Sequence, residues 1–350
     1  MKTLKAAIAL FVLGIAGWFV FGVASSGPIY DESLNADPLA GITIAPKRQA
    51  LTFARTRDHK TLIVHSANAQ GITGADLAPA DPEAAATYDA ITAYQTLGPD
   101  FLERYLGETI TVPWGELIEP VQSTPPHIAA GTNYLAHAEE VGLDGDPFLF
   151  PKLTEATPWQ ADVAPGTRLD YEVELCAITL DDHRDGRLTP LGLMLCGDFT
   201  ERWTLVRDME VGSPMGTTGF PTGKGGPTRL PLGPLMVVPK DPAFYESLEL
   251  ELYVNDALRQ RAEAGLMIWS PLEVLNQALA GCETEYRDDE ATLRLADCRE
   301  IPARTLVLTG TPEGVMFSLA NLWFGGAYLQ PGDLVTSTGT HLGVMRNTIR

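Results

Sequence analysis

Leu169-Asp170-Tyr171-Glu172-Val173-Glu174-Leu175-Cys176-Ala177-Ile178 alternates with a period of two, the mark of a β-strand. Tyr171, Val173, Leu175 and Ala177 fall on one face, and Glu172 and Glu174 on the other. Their Cα atoms would stand ~6.6 Å apart at the usual rise per residue. Two carboxylates converging from one strand repel each other unless positive charge lies between them. A hard divalent cation such as Mg²⁺ or Ca²⁺, which takes oxygen ligands, meets that need. The same pattern also suits a solvent-facing strand with an acidic stripe, so this stretch alone leaves both readings open.

Further acids and cations follow along the chain. Leu193-Met194-Leu195-Cys196-Gly197-Asp198 ends an apolar strand on a carboxylate that could point into a cleft as a third oxygen ligand, or cap the next turn. Arg202, four residues on, could hold a substrate carboxylate through two hydrogen bonds or pair locally with Asp198. Phe220-Pro221-Thr222-Gly223-Lys224-Gly225-Gly226-Pro227 presents a lysine in a glycine-rich loop but lacks the leading glycine and trailing Ser/Thr of a phosphate-binding loop. Thr305-Leu306-Val307-Leu308-Thr309-Gly310-Thr311-Pro312-Glu313-Gly314-Val315 is a strand running into a tight turn, whose hydroxyls and N–H groups can hold an oxygen. Upstream, Gly131 to Gly142 sets His137 and Glu140 three residues apart on one face of a helical turn, with Asn133 as N-cap and Gly142 as stop.

The 350 residues are 45% hydrophobic and 20% charged, as expected for a globular chain with a large core, and the formal charge of −20 argues against nucleic acid or an anionic membrane surface as partner. Lys2 and Lys5 precede an apolar run from Ala6 to Val23, so residues 1–24 read as a signal peptide or an uncleaved membrane anchor and the remainder as exported, periplasmic or tethered to the membrane. Export permits disulfides. Cys282 and Cys298 bracket the acidic excursion Glu283–Asp297, and a bridge there would contribute about 3 kcal/mol in the chain-entropy model. Cys176 and Cys196 read as a second pair or as two buried thiols. Residues 25–45, rich in Gly, Pro, Ser, Asp and Asn, read as a linker, and 46–115 as a small accessory domain of one sheet and one or two helices. Beyond Ile128 many short strands alternate with Gly/Pro turns around one long helix near Pro271–Ala280. That pattern favours an α+β, mainly β architecture, a roll or sandwich, over a doubly wound sheet.

The ordered set His137 with Glu140, Glu172-x-Glu174, Asp198 with Arg202, Gly223-Lys224 and Thr309-Gly310-Thr311-Pro312-Glu313-Gly314-Val315 resembles the fumarylacetoacetate hydrolase family over residues 116–350. The resemblance implies a mixed β-sandwich roll as catalytic domain and a variable N-terminal accessory domain. It also implies a divalent metal, usually Mg²⁺ with Mn²⁺ or Ca²⁺ as alternatives, and assembly as a homodimer. Carried over residue by residue, Glu172, Glu174 and Asp198 would hold the metal, and His137 and Glu140 would form the catalytic dyad. Lys224 would serve substrate and metal alike, Arg202 would follow the third ligand, and Thr311 would contact the substrate carboxylate. The implied substrate is a 2-oxo or 2,4-dioxo acid. Two departures stand out: Trp203 follows Arg202 where the family usually has an acid, and the Cys282–Cys298 excursion expands the region before Thr309.

These readings converge on a metal-dependent hydrolase that breaks a carbon–carbon bond in a β-diketo acid of the acylpyruvate or fumarylacetoacetate type. A lyase or isomerase of the same family (2-oxo acid decarboxylase, hydratase, dehydratase or tautomerase) would use the same metal–enolate chemistry. An exported binding protein without turnover is the reading from another class. The pair His137 and Glu140 argues against it, since a binder has no need of a base.

Overall fold

The computed structural model describes Leu13, Gly14, Gly17 and residues 30–80, 88–143, 146–288, 291–324 and 327–350. The N-terminal signal or anchor segment lies, apart from three residues, outside the described residues. Among those described, no helix is long and apolar enough to cross a membrane.

Short apolar runs, several of them buried on both faces, form strands β1 (Ala50–Thr56), β2 (Thr61–Asn68), β3 (Gly71–Asp76), β4 (Thr109–Pro113), β5 (His127–Gly131), β6 (Phe148–Lys152), β7 (Val173–Thr179), β8 (Leu191–Gly197) and β9 (Leu235–Pro239). They continue with β10 (Glu249–Val254), β11 (Ala257–Glu263), β12 (Leu306–Leu308), β13 (Leu334–Gly339) and β14 (Gly343–Thr348). One thirteen-stranded sheet runs β4-β3-β2-β1-β9-β8-β7-β12-β5-β6, with short strands off this path, and a four-stranded sheet runs β11-β10-β13-β14. Along the main path every pairing is antiparallel except that of β12 with β5.

The alternation of residues 169–178 has two destinations. Leu169, Tyr171, Val173, Leu175 and Ala177 join the core between the two sheets. Cys176 and Ile178 face the other way, into a core shared with helices α1 (Ala90–Leu97) and α2 (Pro99–Arg104). The acidic face of this strand is therefore buried, which removes the solvent-facing reading.

Helix α3 (Leu135–Val141) ends on Gly142 at φ 71, as the stop requires. Its N-cap is Tyr134, not Asn133. The Asn133 amide instead donates to Thr309 O (2.8 Å) and Trp269 O (2.9 Å) and accepts from Trp269 N–H (2.7 Å), tying the helix entry to the end of β12. Further α-helices among the described residues are α4 (Arg202–Asp208), α5 (Phe220–Gly223), α6 (Pro271–Ala280) and α7 (Leu319–Phe324). For α6 the Ser270 side chain accepts from Glu273 N–H and Pro271 takes the first turn, the expected start of that helix.

Segment 46–115 does not form a sheet of its own. β1 pairs with β9 from Ala50↔Pro239 to Ala54↔Leu235, so β1–β4 prolong the central sheet. A pairing between partners so far apart in sequence leaves no local signature. The stretch 30–45, a linker by composition, is strapped along the small sheet. Leu34 N–H donates to Asp256 O (2.7 Å), and Glu32 and Asp37 pair with Arg261 and Arg346 at 2.9 and 2.6 Å. Cys282–Cys298 is a disulfide, and so is Cys176–Cys196, with Cα atoms 5.7 Å apart, which resolves the choice between a pair and two thiols.

Candidate active site

The register of β7 and β8 builds the acid cluster. Glu174 stands opposite Cys196 and Val173 opposite Gly197, so the next position along β8 brings Asp198 beside Glu172, whose carbonyl accepts the Asp198 N–H at 3.0 Å. Glu172, Glu174 and Asp198 are buried, and each offers a carboxylate oxygen within 4.8 Å of the others. Burying one carboxylate costs several kcal/mol unless it is compensated, and here three share one place.

The compensation comes from three cations. Lys224, closing helix α5, places Nζ 2.6 Å from Glu172 Oε2 and 2.6 Å from Asp198 Oδ2. Arg202, first residue of α4, donates from Nη2 to Glu172 Oε1 (2.5 Å) and from Nε to Asp170 Oδ2 (2.8 Å). Its local partner is thus not Asp198, and its guanidinium anchors one of the three cluster acids. Lys152, fully buried at the end of β6, reaches Asp198 Oδ1 at 2.5 Å.

The electrostatics follow from this crowding. Burial would raise the Glu172 carboxyl, but Lys224 and Arg202 hold it well below the usual carboxylate range. Burial and the charges of Asp198 and Glu172 push Glu174 well above that range. Burial lowers the Lys152 ammonium to about 8, while for Lys224 the attraction of Asp198 and Glu172 overcomes burial and raises it. Were all four ionised, Asp170, Glu172, Glu174 and Asp198 would outnumber the three cations by one charge, and the upward push on Glu174 is the mark of that surplus. All-oxygen donors, close spacing and a carboxylate short of a counter-charge fit a hard divalent cation.

His137 and Glu140 form the expected pair, with Nδ1 and Oε2 3.2 Å apart. The Thr309–Val315 turn holds carboxylates, as its sequence suggests, but they are the protein's own. Gly310 N–H donates to Glu174 Oε2 (2.7 Å), and Gly314 N–H donates to both Glu140 oxygens (3.0 and 3.2 Å). Both glycines need positive φ, 92° and 105°. A Cβ on Gly314 would lie 2.0 Å from Arg259 O. The Thr311 hydroxyl donates to Val173 O (2.9 Å) and accepts from Gln260 Nε2 (2.9 Å), so it fastens the turn to β7 while Thr311 also lines the cavity.

His137, Glu172, Glu174, Arg202, Lys224 and Thr311 all line one cavity of about 310 Å³. A larger cavity, of about 620 Å³, lies between the N-terminal helices and Pro239–Pro242. Its ion pair Lys240–Glu103 is exposed, and among the described residues no cluster of buried acids converges there, so chemistry rather than volume points to the smaller cavity.

Three contributors escaped the sequence reading. Asp170 shares the strand face of Glu172 and Glu174, so the run Asp-x-Glu-x-Glu already carried its signal. Lys152 ends the apolar stretch Phe148-Leu149-Phe150-Pro151, an odd place for a lysine that has no partner. Gln260 had no signal: its Oε1 accepts the Val173 N–H (3.0 Å) from a strand of the other sheet.

A family model described as fumarylacetoacetate (FAA) hydrolase C-terminal matches residues 126–350. An oxaloacetate tautomerase of Bacillus subtilis (strain 168) is 27% identical over 236 residues, covering 63% of this chain and 68% of its own length. A 2,4-didehydro-3-deoxy-L-rhamnonate hydrolase of Sphingomonas sp. (strain SKA58) is 27% identical over 243 residues, covering 66% and 75%. Among solved structures, maleylpyruvate hydrolase from Sphingobium sp. SYK-6, in complex with manganese(II) ion and pyruvate, superposes with TM-score 0.55 at 20% identity over 85% of this chain and 98% of that one.

Proposed function

The chain belongs to the fumarylacetoacetate hydrolase family, and from that premise we propose that it is a divalent-metal-dependent hydrolase cleaving a carbon–carbon bond in an acylpyruvate-like 2,4-dioxo acid. The observation that carries the reading is one cavity lined by Glu172, Glu174 and His137, with Asp198 clustered against the two glutamates and Glu140 paired with the histidine. Glu172, Glu174 and Asp198 would hold the ion, Mg²⁺ or Mn²⁺. When bound, it supplies a Lewis acid for the adjacent oxygens of a 2-oxo acid and for the negative charge that develops on them.

The protein groups divide the remaining work. Glu140, itself held by Gly314, fixes the Nδ1–H tautomer of His137 and leaves Nε2 to take a proton from water. The water oxygen bonds to the distal carbonyl carbon and the adjoining carbon–carbon bond breaks. Its electron pair stays on the pyruvyl carbon, which regains the proton from His137, giving pyruvate and a carboxylic acid. Lys224 keeps a positive charge beside the developing enolate. Arg202 and Lys152 hold Glu172 and Asp198 in place.

The likeness to an oxaloacetate tautomerase favours a second reading, in which the same dyad moves a proton between carbon and oxygen without water attack. The two separate by product: loss of an acylpyruvate with release of free pyruvate supports the hydrolase, and keto–enol interconversion of oxaloacetate without cleavage supports the tautomerase. His137→Ala should lower kcat by 10²–10⁴-fold and leave metal content unchanged. Glu172→Gln should lose the metal, and unchanged metal content would sink the ligand assignment. We further propose export and homodimer formation. Two disulfides support an oxidising address, and exposed Trp323 and Leu319 beside the cavity mouth suit an association surface.

A further inference from the structure

We infer that the site selects substrates whose group distal to the 2-oxo acid is uncharged and apolar, a branched alkyl or aryl group rather than a second carboxylate; this rests on the 2-oxo acid reading of the site. The cavity wall is of two kinds. Glu172, Glu174, Arg202, Lys224 and His137, with Thr132 and Thr311, supply its polar lining; most of the remainder is apolar, including Leu143, Phe148, Leu205, Met209, Phe220 and Leu319.

That apolar wall is preformed. Phe148 and Phe220 meet edge to face with centroids 4.9 Å apart, and Phe150 packs 5.2 Å from Phe220. Gly131 permits the arrangement, since a Cβ there would lie 2.3 Å from the Phe148 ring. Trp203, the departure from the family pattern, packs edge to face on Trp323 at 5.4 Å, bracing helix α7, whose first residue, Leu319, lines the cavity.

Among the described residues, the lining cations are Arg202 and Lys224, and their charges are already engaged by Asp170, Glu172 and Asp198. The nearby guanidinium groups of Arg207 and Arg287 pair with Asp208 and Glu210. A distal carboxylate would lose its hydration against aromatic and aliphatic carbon with no counter-charge, a strongly unfavourable exchange. An apolar group of the same shape gains from burial there.

The test is calorimetric binding of pyruvate, 2-oxoglutarate, phenylpyruvate and 5-methyl-2-oxohexanoate, the last replacing the distal carboxylate of 2-oxoglutarate with an isopropyl group, to the Mn²⁺-loaded full chain. Phenylpyruvate and 5-methyl-2-oxohexanoate should bind about ten-fold or more tighter than pyruvate and 2-oxoglutarate. The half-buried Met209→Arg should narrow the gap between 5-methyl-2-oxohexanoate and 2-oxoglutarate. Equal or tighter binding of 2-oxoglutarate by the wild type, no gain from the apolar group, or no binding of any 2-oxo acid would overturn the inference. Acylpyruvate turnover is scored separately. Selective binding without cleavage would remove the hydrolase reading and leave this one standing.

Discussion

Gly314 is a single position on which activity and stability both depend. Its N–H holds both oxygens of Glu140, and its φ of 105° and contact with Arg259 O leave no room for a methyl group. Gly314→Ala should displace the turn, release Glu140 and let His137 rotate. We expect acylpyruvate kcat/KM to fall ten- to a hundred-fold with metal content unchanged, alongside a stability loss of about 1–3 kcal/mol. Kinetics, metal analysis and a denaturant melt check the three parts. His127, on β5, makes a prediction about pH. Its Nε2 meets Thr154 O at 3.1 Å and its Nδ1 is buried without a partner, so burial lowers its ionisation to about 4. Since that value lies below the unfolded one, the neutral ring's contribution is full above about pH 6.5 and is lost as pH falls through about 4. Wild type should therefore lose about 2–3 kcal/mol more than His127→Gln between pH 7 and pH 4 in urea titrations.

At the scale of elements, Asp89 is the tie between the N-terminal helices and the catalytic sheet. It caps α1 by accepting the Thr92 N–H (2.9 Å), accepts the Gln122 N–H (3.2 Å), and binds the guanidinium of Arg304, just before β12. Burial works against its charge, but the Arg304 and backbone hydrogen bonds prevail and lower its ionisation. A lowered carboxylate stabilises above its unfolded value near 4 and ceases to do so as pH falls through the folded value. Asp89→Asn should thus cost about 2 kcal/mol at pH 7, with the difference from wild type shrinking below about pH 4; a pH-independent penalty would contradict the ionic account. Elements of this kind were unevenly legible. The period-two run through Glu174 and the helix from Pro271 are local patterns, and both appear in the structure, the run broken only at Tyr171–Glu172. Asn133 sits where an N-cap belongs, yet its amide is taken by Thr309 and Trp269, partners far along the chain. The acids of β7 were visible, but not that both faces of the strand are covered. Likewise Lys152 acquires meaning only when β6 folds beside Asp198. What the sequence withheld was long-range pairing.

For the molecule as a whole, the acid cluster is a reservoir of unfavourable charge at the heart of the main sheet. β7, β8 and β12 carry or hold the cluster, and the same sheet extends without a break to β4 at one edge and β6 at the other. A charge imbalance there is felt by the fold, not by a detachable lobe. A divalent ion would take the place of the proton that burial and its neighbours keep on Glu174, leaving an excess of one positive charge that the carboxylate of a 2-oxo acid then neutralises. Metal binding should accordingly stabilise the entire chain. At a hundred-fold excess over the dissociation constant the gain is about 2.7 kcal/mol, a rise in Tm of several degrees for a protein of this size. Because β1–β4 pair directly into the same sheet through β9, their melting should move with the catalytic half. Calorimetry with Mn²⁺ and with chelator should show one transition that shifts. Glu174→Gln should abolish the shift, since it removes a ligand charge. Two transitions, of which only one responds to Mn²⁺, would show instead that the N-terminal strands fold independently of the site.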